Sequence, residues 1–214
     1  MVDTTLTQLQ AQVLDFVSQR DWQKHHTIDN IARYLVIEAS ELAELFVWVD
    51  GEQETQSRIN EVVTPLSHEL ADVLYCLAEV ANVLGVSLFD IVLEITQSKG
   101  EVVQEPSIEE LQFALAGEYL RKHPTPTIKH VIDQLLVGSA DLLVNVLSGA
   151  YKNDKDEIVP EAKDLIFKLL FLNLIIAECS KIHVAAAFME KLLLNAEKYP
   201  VEKAKGNFRK YNEL

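Results

Sequence analysis

Glycine and proline are scarce, with seven and six in 214 residues. So few chain breakers, beside abundant Leu, Ala, Glu and Lys, leave little room for a turn-rich fold and point to a mostly helical one. Cysteine is scarcer still. Cys76 and Cys179 each sit alone in an apolar run, which excludes a disulfide framework and a thiolate metal site. They read as buried free thiols of a reducing, cytoplasmic protein. Basic residues are outnumbered, 19 against 33 acidic ones, for a net charge of −14. That excess repels phosphate backbones and anionic lipid, so no nucleic acid and no membrane surface is expected as a partner. Small phosphorylated ligands stay open, because a bound divalent cation reverses the local sign. Long apolar runs are also missing. The densest, Leu165 to Ala177, is interrupted by Lys168 and Asn173 and is too short to span a bilayer. The first residues lack the basic, apolar, small-residue order of a signal peptide. Mean hydropathy is near zero, at +0.07, as expected of a folded soluble protein.

Helical periodicity fills the chain instead. The spacing predicts helices from about Leu6 to Arg20 and from Thr27 to a stop at Asp50-Gly51. A polar loop, GEQETQSRINEVV, is expected next. Thr64-Pro65 reads as N-cap and first residue of a third helix that ends before Gly85. Ser87 with Asp90 opens a fourth, fading near Gly100. A second set begins at Ser107, whose spacing to Glu110 is that of a capping box. A turn at His123 to Thr127 follows. Helices are then expected from Thr127 to Leu147, Pro160 to Ser180 and Val184 to Lys198.

The two sets read as a repeat. A shift of about 100 positions brings Thr27, Ile28, Leu35 and Leu42 onto Thr127, Ile128, Leu135 and Leu142. Glu41 meets Asp141 and Ile37 meets Val137. The expected fold is all-α, with residues 1–102 and 103–214 as two four-helix units forming a pseudo-dimeric bundle.

Carboxylates stand where core residues are expected. Glu38 and Glu41 are three apart in VIEASELAELFVW, bracketed by Val36, Ile37 and Leu42. Residues so spaced lie about 60° apart in projection and share a helix face. The next helix carries HELAD, with Glu69 and Asp72 again three apart. Laid antiparallel, the two helices bring all these carboxylates together. Such a buried set is destabilised by desolvation and mutual repulsion unless a cation joins it. All-oxygen ligands favour Mg²⁺, or Mn²⁺. His68 precedes Glu69 rather than following it by three, so the Glu-x-x-His of a di-iron bundle is not completed. Glu44 extends the same face toward solvent.

These residues resemble the all-α NTP pyrophosphatases, the MazG-like and dCTP-pyrophosphatase group. The resemblance runs from about residue 10 to 95 and rests on Glu38, Glu41, Glu69 and Asp72 with Arg20-Asp21-Trp22, His26, Asn30 and Phe46-x-Trp48. It implies hydrolysis of a nucleoside triphosphate to the monophosphate and pyrophosphate, as house-cleaning of the nucleotide pool. The acidic residues would hold Mg²⁺, and Glu41 would activate the attacking water. Trp22, His26, Asn30 and Trp48 would line the nucleotide pocket.

The resemblance is divided between the halves. Its closing Lys, Asn and Tyr-Pro are missing near Ile95 and Lys99 but stand in the second half as Lys191, Asn195, Tyr199 and Pro200. Conversely, Gly138, Leu165 and Lys168 fall where the first half has Glu38, Glu69 and Asp72. The expectation is one composite site per chain, with metal in the first half and Lys191, Asn195 and Tyr199 from the second on the nucleotide. A homodimer would then equal the family's tetramer. Two other readings stay open: an enzyme acting on phosphoribosyl-ATP, and a non-catalytic helical interaction protein.

Overall fold

In the computed structural model, residues 4–96, 105–123 and 127–207 are described. Among them the chain is helical, with isolated bridges but no strand. Helix α1 spans Leu6–Gln19, α2 Ile28–Glu44, α3 Glu52–Glu61, α4 Val63–Leu84 and α5 Leu88–Thr96. Then come α6 (Ile108–Leu111), a π-helical stretch (Gln112–Gly117) and α7 (Glu118–Lys122). Helices α8 (Ile128–Ser148), α9 (Pro160–Cys179), α10 (Val184–Lys198) and the short α11 (Val201–Ala204) follow among the described residues.

Most boundaries follow from local chemistry. Thr5 with Gln8 and Ser107 with Glu110 form capping boxes that open α1 and α6. Gly85 closes α4 in the left-handed region at φ 68°, where only glycine avoids a Cβ penalty. Two expectations need correction. The polar loop is helix α3, because Thr55 and Ile59 lie one turn apart and are buried. Glu52 and Glu54 favour its first turn electrostatically. Thr64 is not an N-cap. Helix α4 starts at Val63 after Val62, and Pro65 is tolerated because the first-turn N–H groups have no helical partner. The π-helical stretch has no signature in the sequence. The fading of the fourth helix toward Gly100 and much of the turn before Thr127 lie outside the described residues.

The core is centred on α4 and α9. In α9 the residues from Leu172 to Ala177 are all buried, as a helix apolar on every side must be. Helix α4 packs against α1, α2, α9 and α10, while α9 packs against α4, α5, α8 and the π-helical stretch. Helices α2 and α8 lie against each other. The long, apolar α8 would also suit a membrane span by composition, but here it packs on α2 and α9. Each closing helix therefore packs on the other set: α5 on α9, and α10 on α4.

Candidate active site

Helix α2 begins at Thr27, whose hydroxyl accepts from the Asn30 amide. The Asn30 side chain donates to the His25 carbonyl at 2.9 Å and so ties the preceding loop to the helix start. About two turns beyond Asn30, Glu38 is buried with only 5% of its surface exposed, while Glu41 is exposed. Helix α4 lies alongside and brings in Glu69. Ligand oxygens of Glu38, Glu41 and Glu69 lie within 4.8 Å of one another. Glu69 Oε2 is buried and has no hydrogen-bond partner. An orphaned carboxylate oxygen beside two more carboxylates is a donor set that fits a hard divalent cation.

Asp72 is engaged differently. Lys191 Nζ of α10 sits 2.6 Å from its Oδ2, with both side chains largely buried. Asn195, one turn later on α10, and the Lys198 charge also favour the ionised form of the same carboxylate. Thus α10 delivers a cation and an amide to a carboxylate more than 100 positions away in sequence. His68 faces Glu190 of α10 at 3.9 Å.

Around this cage lies an aromatic turn. Arg20 is buried, donates to the Tyr199 carbonyl at 2.8 Å and stacks 3.6 Å above the Phe16 ring. Asp21 takes φ 55°, a left-handed conformation that Asp tolerates better than most residues. The Trp22 indole N–H donates to the Ala204 and Asn207 carbonyls, and its ring meets Tyr199 edge-on at 5.3 Å. His26 Nδ1 is 2.8 Å from Glu79, a carboxylate buried within α4. Sequence reasoning missed Glu79, because no second carboxylate at helical spacing marks it. It missed Tyr34 as well, which lies one turn before Glu38 on α2 and opposes the rise of its pKa. The Tyr34 to Glu38 spacing was the available signal. Trp48 is 93% exposed, and nothing shown brings it to the other predicted residues.

Electrostatics reflect the crowding. Burial, then the charges of Asp72, Glu41 and Glu69, push Glu38 up from 4.5 to about 8. Burial raises Glu69 to about 7 against the pull of Lys191. Asp72 is also raised by burial, with Lys191 and Asn195 opposing. Burial first, then Glu38, pushes Tyr34 far up.

Glu38 has a measurable consequence for stability. The unfolded chain loses this proton near 4.5, whereas the folded chain keeps it to about 8. Between those values the folded state binds the extra proton, so stability falls as pH rises. Each tenfold bias in ionisation is worth about 1.4 kcal/mol, and about 1 kcal/mol moves the midpoint of such a chain by about 2–4 °C. Melting curves of metal-free protein should therefore drop on the order of 10 °C from pH 5 to pH 8. Glu38→Gln should make that slope shallower, with the raised Glu69 and Asp72 supplying the remainder.

An all-helical chain with paired carboxylates on adjoining helices is what the pyrophosphatase resemblance implies, and related sequences bear the resemblance out. The dCTP pyrophosphatase 1 of Homo sapiens is 38% identical over 80 residues, which is 37% of this chain and 47% of that protein. The Bos taurus protein of the same name is 35% identical over 92 residues, 42% of this chain and 54% of that one. The chain thus spans about half the length of the curated relatives it matches. No family model matches the chain. No solved structure matches it either.

Proposed function

We propose that this chain is a metal-dependent nucleoside triphosphate pyrophosphohydrolase that converts a (d)NTP to the monophosphate and pyrophosphate and so clears the nucleotide pool of the cytoplasm. One observation carries the reading: three carboxylates converge within 4.8 Å, while Asp72 beside them meets Lys191 at 2.6 Å. A pocket holding both signs suits a triphosphate and its cation. Glu38, Glu41 and Glu69 would hold Mg²⁺ or Mn²⁺, with Asp72 completing the set when Lys191 turns to the substrate. The cation supplies charge screening and a lowered pKa for bound water. Glu41, exposed toward solvent, accepts a proton from the water that attacks the α-phosphorus. The bond between that phosphorus and the bridging oxygen breaks, and pyrophosphate leaves. Lys191 and Asn195 bind the phosphates, and Trp22, His26, Asn30 and Tyr199 shape the nucleotide side.

The chain also reads as a fused pair, with residues 1–102 and 103–214 as its units. Burial along residues 31–48 recurs position for position along 131–148. Gln10 donates to the Val86 carbonyl and accepts from the Leu88 amide. Gln112 does the same with Ile182 and Val184. Phe16 meets Tyr75 edge-on as Tyr119 meets Phe171. One residue more separates Gln112 from Tyr119 than Gln10 from Phe16, and the π-helical stretch absorbs it. The exchange of α5 and α10 between the sets is what a pseudo-twofold requires.

The second set carries no matching cage among its described residues. A Cβ on Gly138 would lie 2.9 Å from Leu169 Cδ2, so leucine fills the place of the Glu38 carboxylate. The proposal is therefore one composite site per chain. Exposed Ile37, Val47 and Trp48, with Val137, Val144 and Leu147 on the neighbouring α8, offer an apolar face to a second copy. Light scattering on the purified protein should return twice the chain mass.

The direct test incubates the protein with each common dNTP and NTP, with and without Mg²⁺. Mg²⁺-dependent pyrophosphate and monophosphate from one or a few of them is expected. No turnover, with no thermal stabilisation by Mg²⁺, would favour a non-catalytic helical role. Turnover of phosphoribosyl-ATP alone would move the substrate.

A further inference from the structure

Lysine meets a carboxylate at several places in this chain, and one of these pairs stands apart. Lys122 with Glu118, Lys152 with Asp156 and Lys181 with Glu178 are local bridges, each with at least one partner in open solvent. Lys163 joins Glu94 across two helices, but Glu94 is more than half exposed. Lys191 and Asp72 are only 12% and 15% exposed and meet at 2.6 Å between α10 and α4. Taking two charges out of water can cost as much as their attraction returns, so stability alone does not account for the pair. Its place does. Asp72 lies three residues after Glu69 on α4 and shares its face. Yet the oxygens that gather within 4.8 Å are those of Glu38, Glu41 and Glu69. The fourth carboxylate is held by an ammonium instead, while Glu69 Oε2 is left without a hydrogen-bond partner. The repeat is informative as well. Lys168 takes the place of Asp72 in the second set, where it lines a hollow with Asp141, Glu161 and Asp164. That acidic hollow has its cation built into the helix that lines it. The first set receives its cation from a different helix, where it is free to be exchanged.

We propose that Lys191 is the resident counter-cation of the metal-free cage: its ammonium holds Asp72 until a divalent cation takes that oxygen, and the same exchange frees Lys191 for the phosphates. An ammonium and a divalent cation compete for one carboxylate oxygen and repel each other, so the two states exclude one another. Linkage then runs in both directions. A phosphate that draws Lys191 away leaves Asp72 open and tightens the cation. The cation that takes Asp72 releases Lys191 and tightens the phosphate. The site thus favours the cation and the triphosphate together over either alone. This inference rests on the metal-dependent reading of the site.

The probe is Mn²⁺ alone, titrated calorimetrically into wild type, Lys191→Met, Asp72→Asn and the double variant, with a metal-free melting curve of each to show that it is folded. Lys191→Met is expected to bind Mn²⁺ roughly ten- to a hundredfold more tightly than wild type, the usual span of a coupling between sites. On the Asp72→Asn background the same change should gain far less, since no carboxylate is there to be freed. Equal or weaker binding by folded Lys191→Met overturns the exchange and leaves the metal site standing. An equal gain on the Asp72→Asn background overturns it too. Where Lys191→Met does not fold, wild type decides: acetylation of Lys191, read by mass spectrometry, should be slow without metal and rise with saturating Mn²⁺. Labelling indifferent to bound Mn²⁺ overturns the proposal. Mn²⁺ binding by Lys191→Met but not by wild type is the exchange in its strongest form. If none of the folded proteins binds Mn²⁺, the metal-dependent reading itself falls, and the exchange falls with it.

Discussion

Glu41→Gln is expected to lower kcat by about a hundred- to ten-thousandfold, the range over which a positioned base contributes, while the protein stays folded. The substitution keeps the size of the side chain and removes only its charge. Glu41 is the exposed member of a trio whose other carboxylates are buried or half-buried. A group at the mouth of the cage reaches both the substrate and the solvent that takes the proton away. Glu38 and Glu69 lie deeper, where burial raises both, so they suit holding a cation more than exchanging protons with water. Removing the Glu41 charge also relieves its repulsion of Glu38. The metal-free midpoint should therefore hold or rise in the same variant that has lost turnover. Steady-state kinetics with Mg²⁺ and a melting curve without it check both halves of that expectation. Turnover within a few-fold of wild type would exclude Glu41 as the base.

The carboxylate pairs were legible because a helix converts a spacing of three into a shared face, and apolar neighbours showed which way that face looks. The same logic recovered the long helices, the capping box at Ser107 and the stop at Gly85, but not the start of α4. It failed where the signal was thin. Helix α3 buries only Thr55 and Ile59, too narrow a stripe to stand out from its polar residues. Glu79 is one carboxylate within an apolar helix, and its partner His26 lies 53 positions away. Nothing local couples them. The contacts of the Trp22 indole with the Ala204 and Asn207 carbonyls are made to backbone, which carries no residue identity to read. The approach of Lys191 to the carboxylates was legible for a different reason. Lys191 and Asn195 are one turn apart, and the first half lacks both.

Lys191→Met should lower kcat/KM by roughly a hundredfold, the usual cost of removing one donor from a site that stabilises developing charge. The change lies in α10, far in sequence from every carboxylate it serves. Its effect on the fold can be separated from its effect on the reaction. Lys191 and Asp72 are largely buried against each other at 2.6 Å, and breaking such a pair by removing one partner typically costs about 3–5 kcal/mol. Asp72 is already raised by burial, so without Lys191 it takes up a proton more readily and the loss is smaller near pH 5 than near pH 8. Replacing both residues, as Asp72→Asn with Lys191→Met, removes the stranded charge, and the metal-free midpoint should return close to wild type. Activity should not return, because a phosphate still lacks its cation and the cage lacks a carboxylate. A lysine kept only for packing predicts the opposite order: stability lost with the single change, and kcat and KM of wild type wherever the protein stays folded. Kinetics of the single variant and melting curves of the single and double variants together decide whether the second half takes part in the chemistry or merely supports the half that performs it.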